Sequence, residues 1–271
     1  ERILPLSHAV RVTAPLTRGA LGAAAPEQKL KSYGGIIMRC VWEHNGNDTL
    51  LYSVDCVGAY TRGSSLEAAI SKMSAEIEAY SLWRGQEYKH DTDIEIVQEK
   101  DGNLQVSDAD SDILFDTEKA PLSREEYEEL KALVLKSARD FYDLYSSVSN
   151  KNESCLPHRQ TFYGAVPRTA QEMYEHTKNV NSYYFAEINV DVDNEGTIYD
   201  CRKKGFECLE QTPGFLDNVV IEGSYDELWS LRKVMRRFLW HDRIHAKAMY
   251  RMAVKTFGAF GADNTFKFII D

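Results

Sequence analysis

Apolar and polar positions alternate early in the chain, in a pattern that predicts strands separated by turns. Two runs rich in β-branched and aromatic residues, 35–42 (GIIMRCVW) and 49–57 (TLLYSVDCV), stand on either side of an Asn45-Gly46 pair. Asn-Gly is a strong hairpin signal, because both residues tolerate the positive φ of the favoured two-residue turns. We therefore expect these two runs to form a β-hairpin.

A helix and a second hairpin are expected next. Ser64 and Glu67 match a capping box, in which each side chain accepts a hydrogen bond from the other's backbone amide. Apolar residues then recur at helical spacing: Leu66, Ile70, Met73, Ile77 and Tyr80. Two short strand-like runs, 93–97 and 104–106, are separated by an Asp-Gly turn and predict a closing hairpin. The first part of the chain is thus expected to be a small β-β-α-β-β unit.

The apolar period changes to that of helices after an acidic segment, 108–122, which we interpret as a linker. Capping boxes predict helix starts at Ser123, Thr169 and Ser224, and a weaker helix is expected within 203–216. The helix that begins at Ser224 has the longest periodic run. Four helices with long connections and no internal repeat indicate a bundle.

The length and composition suit a globular protein of two domains. The chain has 271 residues, of which 43% are hydrophobic, and domains commonly contain about 100–200 residues. We divide it into an α+β domain (1–107), an acidic linker (108–122) and an all-α domain (123–271). The predicted fold class is therefore α+β, with a small β-β-α-β-β domain followed by a four-helix bundle.

Charge and cysteine content narrow the partners and the compartment. Lys and Arg total 32 against 42 Asp and Glu, so the net charge is −10. This acidity is shared by both parts of the chain, and nucleic acid is therefore not expected as a partner. Apolar runs fall short of the roughly 20 residues that span a bilayer, so a membrane is not expected either. Five widely spaced cysteines without a C-x-x-C pair indicate a reduced, cytoplasmic protein.

Three histidines in the predicted helices are candidate metal ligands. His241 and His245 are four residues apart, and so lie one helical turn apart and about 40° around the axis. Counting about 100° per residue places both on the apolar side of their helix, and places His176 on the apolar side of its own. The same count puts three arginines on the opposite side, where we expect them to face water: Arg232, Arg236 and Arg243.

Two interpretations of these inward imidazoles stay open on spacing alone. A divalent ion would satisfy all three neutral rings, and Zn²⁺ and Ni²⁺ both suit nitrogen ligands. Alternatively, the rings are core histidines that hydrogen-bond to tyrosine or backbone groups. Arg237, about 40° around the helix from His241, either anchors a substrate carboxylate or extends its guanidinium to solvent.

The first domain resembles a known family. After the hairpin, the run YSVDCVGAYTRGSSLEAAISKMSAEIEAYSLW is similar to the N-terminal domain of HicB-type antitoxins, which combine a Tyr-rich strand, a Gly-containing turn and a Leu-Glu-Ala-Ala helix start. The resemblance covers about residues 33–107. It implies the small α+β fold and not DNA binding, because the DNA-reading element that often follows in HicB proteins is not visible in this sequence.

The second domain resembles the DinB/YfiT-type four-helix bundle superfamily. The segments TFYGAVPRTAQEMYEHTKNVNSYYF and ELWSLRKVMRRFLWHDRIHAKAM carry its mark, one histidine on the second helix and an H-x-x-x-H pair on the last. The resemblance covers about residues 122–258 and implies that His176, His241 and His245 bind a divalent metal, Zn²⁺ or Ni²⁺. Members of the superfamily include transferases and isomerases that use low-molecular-weight thiols such as mycothiol or bacillithiol.

Two hypotheses about function follow. The first is a metal-dependent enzyme that transfers a low-molecular-weight thiol to an electrophile, or that hydrolyses a small-molecule substrate. The alternative is a non-catalytic protein whose HicB-like domain binds a partner or joins two copies of the chain as a homodimer.

Overall fold

The computed structural model describes residues 36–87, 92–161 and 164–270, so residues 1–35 of the predicted first domain lie outside the described part. The described chain is mixed α+β: a four-stranded sheet comes first and helices follow. The elements of the first part are β1 (Ile36–Asn45), β2 (Asp48–Ser53), β3 (Tyr60–Gly63), α1 (Leu66–Arg84) and β4 (Thr92–Asp101). The strands are arranged in the order β3-β2-β1-β4.

The hairpin predicted from the Asn-Gly pair is present. β1 and β2 are antiparallel, with Asn45 opposite Asp48. Gly46 lies in the turn with a φ of 57°, in the left-handed region that glycine adopts without steric cost. β3, which the sequence pattern did not predict, extends the sheet on the far side of β2.

The predicted second hairpin is wrong. β4 is a single strand that pairs parallel to β1 along its length, and the turn Val106–Asp108 that follows is a 3₁₀ helix whose Val106 is buried. Parallel pairing needs a crossover connection, which α1 supplies. Alternation of polar and apolar residues is the same for either direction of pairing, so the pattern could indicate a strand but not its direction. The order is therefore β-β-β-α-β.

α1 covers one face of the sheet. Its N-cap is Ser65 rather than the predicted Ser64, and the Ser65 side chain accepts a hydrogen bond from the amide of Ala68 at 3.2 Å. Apolar residues of α1 and of the sheet share one core: Met73, Ile77 and Tyr80 with Met38, Cys40 and Leu51.

Four helices dominate the rest of the described chain. They are α2 (Arg124–Ser147), α3 (Ala170–Ala186), α4 (Ile198–Leu209) and α5 (Leu231–Phe257), with short strand pairs β5 (Gln160–Thr161) and β6 (Gly164–Ala165), and β7 (Ile221–Glu222) and β8 (Leu228–Trp229). The capping boxes predicted at Ser123 and Thr169 are confirmed. α4 begins earlier than the predicted 203–216, because Thr197 and Asp200 form a further capping box. The assignment to a four-helix bundle stays a prediction.

The last helix starts later than predicted. The N-cap of α5 is Ser230, whose side chain accepts a hydrogen bond from the amide of Lys233 at 3.2 Å. The predicted capping box at Ser224 is wrong, since that segment is a 3₁₀ turn in which Tyr225 has a φ of 64°. Glu227 does not cap the turn; it is buried in an ion pair with Lys233.

α5 is buried on two sides. One side packs against α2 and α3. The other meets the sheet, where the Trp240 ring lies 5.7 Å from the ring of Tyr52 and 6.1 Å from that of Tyr60, measured between centroids. A helix that is covered on both sides has to bury side chains on both of those faces.

The arginines predicted to face water lie on this second side of α5. Arg236 and Arg243 are 2% and 0% exposed and form ion pairs with Glu118 and Glu76, so the prediction is wrong for both. Arg232 keeps partial exposure. The count of angles identified one apolar face correctly. The sequence alone does not distinguish an arginine that is buried in an ion pair on the opposite face from one that faces water.

The segment interpreted as a linker packs into the molecule. Asp110, Ile113 and Phe115 are 0–2% exposed, and the two apolar residues share a core with Trp240. The segment therefore lies between the sheet and α5, and the division of the chain at 107 and 123 stays a prediction. Among the helices of the described ranges, none combines the length and the apolar character that crossing a membrane requires.

Candidate metal centre

The structure brings the three predicted histidines together at the contact between α3 and α5. His176 lies in the second turn of α3, and His241 and His245 lie in the middle of α5. Met173 and Val180 are buried on α3 to either side of His176 in sequence, and this apolar side holds α3 against α5. The imidazoles therefore meet inside the molecule.

The three rings are close enough to hold one metal ion. Their centroids are separated by 5.1 Å (His176 to His241), 4.7 Å (His176 to His245) and 4.5 Å (His241 to His245). One nitrogen from each ring can be chosen so that all three lie within 4.8 Å of one another. Ligand nitrogens around a tetrahedral Zn²⁺ lie about 3.4 Å apart, given Zn–N bonds of about 2.0–2.1 Å. A small rotation of the rings would therefore bring the nitrogens to bonding distance.

Four of the six imidazole nitrogens are buried and have no hydrogen-bond partner among the described residues. His241 is 0% exposed and neither of its ring nitrogens is bonded, and the buried Nε2 atoms of His176 and His245 are also unbonded. Leaving a buried polar atom without a partner costs about 1–3 kcal/mol. A group that bonded these nitrogens would remove this cost at all three rings.

His44 shows how this chain buries a histidine that has a structural role. Its Nδ1 lies 3.1 Å from the carbonyl oxygen of Gly46, and its Nε2 lies 3.1 Å from Oε1 of Glu99. The interpretation in which buried histidines bond to protein groups therefore fits His44. In the three clustered rings, by contrast, the described residues bond neither nitrogen of His241 and leave Nε2 of His176 and of His245 unbonded.

Burial keeps the clustered imidazoles neutral. It lowers the pKa of His176 to about 4. For His241 and His245, burial and then the charges of the neighbouring histidines hold the pKa well below the ordinary value. A neutral imidazole presents a lone pair to a metal, whereas an imidazolium cannot coordinate. The site is thus in its ligating form at neutral pH.

The arrangement leaves coordination positions for an external group. Three imidazoles fill three positions of a tetrahedral ion, as in catalytic rather than structural zinc sites. The carboxylate of Asp242, next to His241 in sequence, is committed elsewhere. It accepts hydrogen bonds from Arg202 Nη2 at 2.8 Å and from Ser137 Oγ at 2.7 Å.

Arg237 extends into the core, one turn of α5 before His241. Its side chain is 0% exposed, so the expectation that it reaches solvent is wrong. Lys233, which the sequence reading missed, is also 0% exposed and pairs with Glu227. The signal that could have revealed it is a regular spacing of four residues, which places four polar residues on one stripe of the helix: Lys233, Arg237, His241 and His245.

Comparisons of the chain with protein-family models, with curated proteins and with solved structures found no match. The HicB-like and DinB-like assignments therefore stay predictions.

Proposed function

We propose that the chain is a divalent-metal-dependent enzyme that acts on a small molecule, with Zn²⁺ or Ni²⁺ bound by His176, His241 and His245. One observation carries the proposal: three neutral, buried imidazoles converge with ring nitrogens that no described residue bonds. The soft, uncharged nitrogen ligands favour Zn²⁺ or Ni²⁺ over Mg²⁺ or Ca²⁺, which prefer oxygen.

The chemistry follows from a metal with an open position. When bound, such an ion lowers the pKa of a coordinated water or thiol, and so supplies a nucleophile at neutral pH. The chain's own residues fix the three ligand directions and exclude bulk water. His176 and His245 keep 9% and 7% exposure while His241 has none, so a substrate would approach from the side of the first two.

Two reactions suit this site. One is transfer of a low-molecular-weight thiol to an electrophile, which the resemblance to the DinB/YfiT-type superfamily supports. The other is hydrolysis of a small molecule by metal-bound water. Both need the same three imidazoles, and they differ in whether a thiol is required.

Metal content tests the proposal. Protein stripped with a chelator and then dialysed against Zn²⁺ or Ni²⁺ should hold about one ion per chain by inductively coupled plasma mass spectrometry. His245→Ala should weaken metal binding by more than tenfold, because it removes a ligand. His44→Ala is the matched control, since it removes a buried histidine whose nitrogens are already bonded. Wild-type protein that takes up no ion, or a His245→Ala variant that binds as tightly as wild type, would contradict the proposal.

A turnover assay then separates the two reactions. Metal-loaded protein is supplied with a thiol and an electrophile, and separately with ester and amide substrates without a thiol. Turnover that needs the thiol and is lost in His245→Ala supports thiol transfer, and turnover without the thiol supports hydrolysis. Metal-loaded protein inactive in both would contradict the enzyme hypothesis and leave a metal-binding protein.

Binding of a partner, or of a second copy of the chain, is the second candidate function, and the sheet edge at β4 favours it. β4 is the last strand in the order of the four-stranded sheet, and Ile37 and Val97 on the face that it forms with β1 are 55% and 43% exposed. A strand from another chain can add to such an edge. Analytical ultracentrifugation should show self-association that Val97→Lys weakens, and a monomer at all concentrations would contradict a homodimer.

A further inference from the structure

Arg237 differs from the other buried basic side chains of the described chain. Five lysines and arginines are buried to 2% exposure or less: Arg202, Lys233, Arg236, Arg237 and Arg243. Four of them form ion pairs, with Asp242, Glu227, Glu118 and Glu76 respectively. Arg237 forms no ion pair with a described residue. Its Nη1 donates a hydrogen bond to the carbonyl oxygen of Ser111, at 2.8 Å, and its guanidinium also interacts with the hydroxyl of Tyr184.

The unbonded edge of Arg237 is the edge that binds carboxylates elsewhere in this chain. Three other arginines use Nε and Nη2 together to hold an acid: Arg39 with Asp55, Arg236 with Glu118, and Arg243 with Glu76. These two nitrogens lie on the same side of the guanidinium and match the two oxygens of a carboxylate. In Arg237 both Nε and Nη2 are buried, and neither has a hydrogen-bond partner within the described part of the chain.

Burial lowers the pKa of Arg237, but the hydroxyl of Tyr184 and the carboxylate of Glu227 raise it above the ordinary value. Arg237 nevertheless forms no ion pair with an acid of the described residues. Glu227 lies 2.9 Å from the ammonium of Lys233 and is committed to it. Burial raises the pKa of the Asp110 carboxyl to about 6, and the charge of Arg237 opposes part of that rise. Its Oδ2 accepts a hydrogen bond from the amide of Gln105 at 3.3 Å, and its Oδ1 has no hydrogen-bond partner among the described residues. The guanidinium therefore has acids in its neighbourhood, but its Nε and Nη2 hold none of the described carboxylates.

Aromatic rings surround this charge. The guanidinium carbon lies 4.8 Å from the ring centroid of Trp240 and 5.6 Å from those of Tyr184 and Trp229. Ring faces attract a cation but offset its desolvation only in part. They also keep water away, which strengthens any interaction with an anion.

Arg237 lies at a distance from the histidines that a small molecule can span. It precedes His241 by one turn on the same stripe of α5, a rise of about 6 Å. Tyr184 connects the two, because its ring lies 6.1 Å from the ring of His241 and 5.6 Å from the guanidinium carbon of Arg237. A divalent ion and a guanidinium this close together repel each other unless an anion lies between them.

We propose that Arg237 binds the carboxylate of the substrate, through Nε and Nη2, while the reacting part of the same molecule reaches the three histidines. The substrate class is thus a small carboxylic acid. That this acid is a substrate rests on the proposed function. The carboxylate site itself rests only on the geometry of Arg237, and the two are tested separately.

Acetate is the probe for this site, and it is tested against chloride at equal ionic strength. Binding is followed by the rise in Tm and by calorimetry, with metal-free and with Zn²⁺-treated protein. Acetate should stabilise both forms of wild-type protein more than chloride does. Arg237→Gln should weaken acetate binding at least tenfold, and Arg237→Lys, which keeps the charge but loses the two-nitrogen edge, should weaken it less.

Arg251→Gln is the control, because Arg251 is an exposed cation on the same helix and its loss should leave acetate binding unchanged. If Arg237→Gln does not fold, Arg237→Lys carries the comparison. Wild-type protein without a preference for acetate, or Arg237 variants that bind acetate as wild type does, would overturn the inference. Inorganic phosphate that binds at Arg237 more tightly than acetate would overturn the carboxylate class.

The outcomes separate this inference from the proposed function. Acetate binding through Arg237 in protein that takes up no metal would sustain the carboxylate site and refute the metal enzyme. Metal uptake without acetate binding would sustain the metal site and refute the carboxylate site.

Discussion

At the scale of single residues, what a buried polar side chain does depends on whether the chain itself supplies its partner. Arg236 has Glu118, and His44 has Gly46 and Glu99. Arg237 has no ion-pair partner among the described residues, and each of the three clustered histidines has at least one ring nitrogen that they leave unbonded. A buried polar group with a partner in the chain stabilises the fold. A buried nitrogen without a partner costs free energy, and a bound ligand would remove that cost.

Substitution of two adjacent arginines tests this contrast. Arg236→Met leaves Glu118 buried without its cation and should lower the free energy of unfolding by about 3–5 kcal/mol. Arg237→Met removes a charge that has no acid partner and should cost less than half as much, because desolvation of the cation is relieved. Urea unfolding in ligand-free buffer measures both. Equal losses would show that Arg237 stabilises the fold as an ordinary ion-paired arginine does.

Protonation of His176 gives a pH dependence whose sign is fixed. Unfolded chains protonate histidine near pH 6.5, but burial lowers the pKa of His176 in the folded chain to about 4. The unfolded state therefore binds more protons between these values. Stability of the metal-free protein should be complete above about pH 6.5 and fall as the pH drops toward 4, by roughly 3 kcal/mol from this residue.

The matched variant for the pH experiment is His176→Gln, which keeps a polar side chain without a titrating group. In urea unfolding at pH 7 and pH 5, with a chelator present, it should lose less stability on acidification than wild type does. His241 and His245 contribute in the same direction and remain in the variant. An identical loss in the two proteins would show that His176 is not buried in its neutral form.

At the scale of helices and strands, short sequence motifs correctly predicted the features that depend on interactions between neighbouring residues. The capping boxes at Ser123 and Thr169 and the turn at Gly46 depend on neighbours within a few residues, and the structure has them. The direction of β4 and the start of α5 depend on contacts with distant parts of the chain, and these predictions were wrong.

The three histidines of the candidate site could be predicted from the sequence, because their positions also depend on local patterns. The spacing of His241 and His245 on one helix is local, and the inward direction of His176 follows from the apolar residues around it. The burial of Arg237 could not be predicted from the sequence, because the rings that enclose it come from three separate positions in the chain: Tyr184, Trp229 and Trp240.

Gly58 tests how closely the turn after β2 packs against α5. Its φ is 92°, and a Cβ atom there would lie 2.5 Å from the Cβ of Leu239. Gly58→Ala should therefore lower the free energy of unfolding by about 2–5 kcal/mol, from backbone strain together with overpacking.

Gly46→Ala is the control for Gly58→Ala in thermal or urea unfolding. Gly46 has a φ of 57° but no atom within 4 Å of the added Cβ, so only the strain of about 1–2 kcal/mol applies. If both variants lose the same stability, the turn and α5 do not pack as closely as the structure has them.

At the scale of the whole molecule, α5 links the sheet to the other helices. Arg243 joins it to Glu76 of α1, and Trp240 joins it to the tyrosines of β2 and β3. The helix that carries two of the three histidines is therefore held from both sides. A rigid α5 fixes the separation between Arg237 and the histidines on which the proposed binding mode depends.

Cooperative unfolding should follow from these links. We expect one transition in urea, with the same midpoint by far-UV circular dichroism and by tryptophan fluorescence, because separating the parts would leave Glu76 and Arg243 buried without partners. Two resolved transitions would show instead that the sheet and the helices unfold independently.

X-ray absorption spectroscopy of Zn²⁺- or Ni²⁺-loaded protein reports the ligands of the bound ion, and so shows whether His176, His241 and His245 hold it. We expect three imidazole nitrogens around the ion, at about 2.0–2.1 Å for zinc, and the loss of one of them in His245→Ala. A shell of sulfur or carboxylate oxygen without imidazole, or an unchanged shell in His245→Ala, would contradict this expectation.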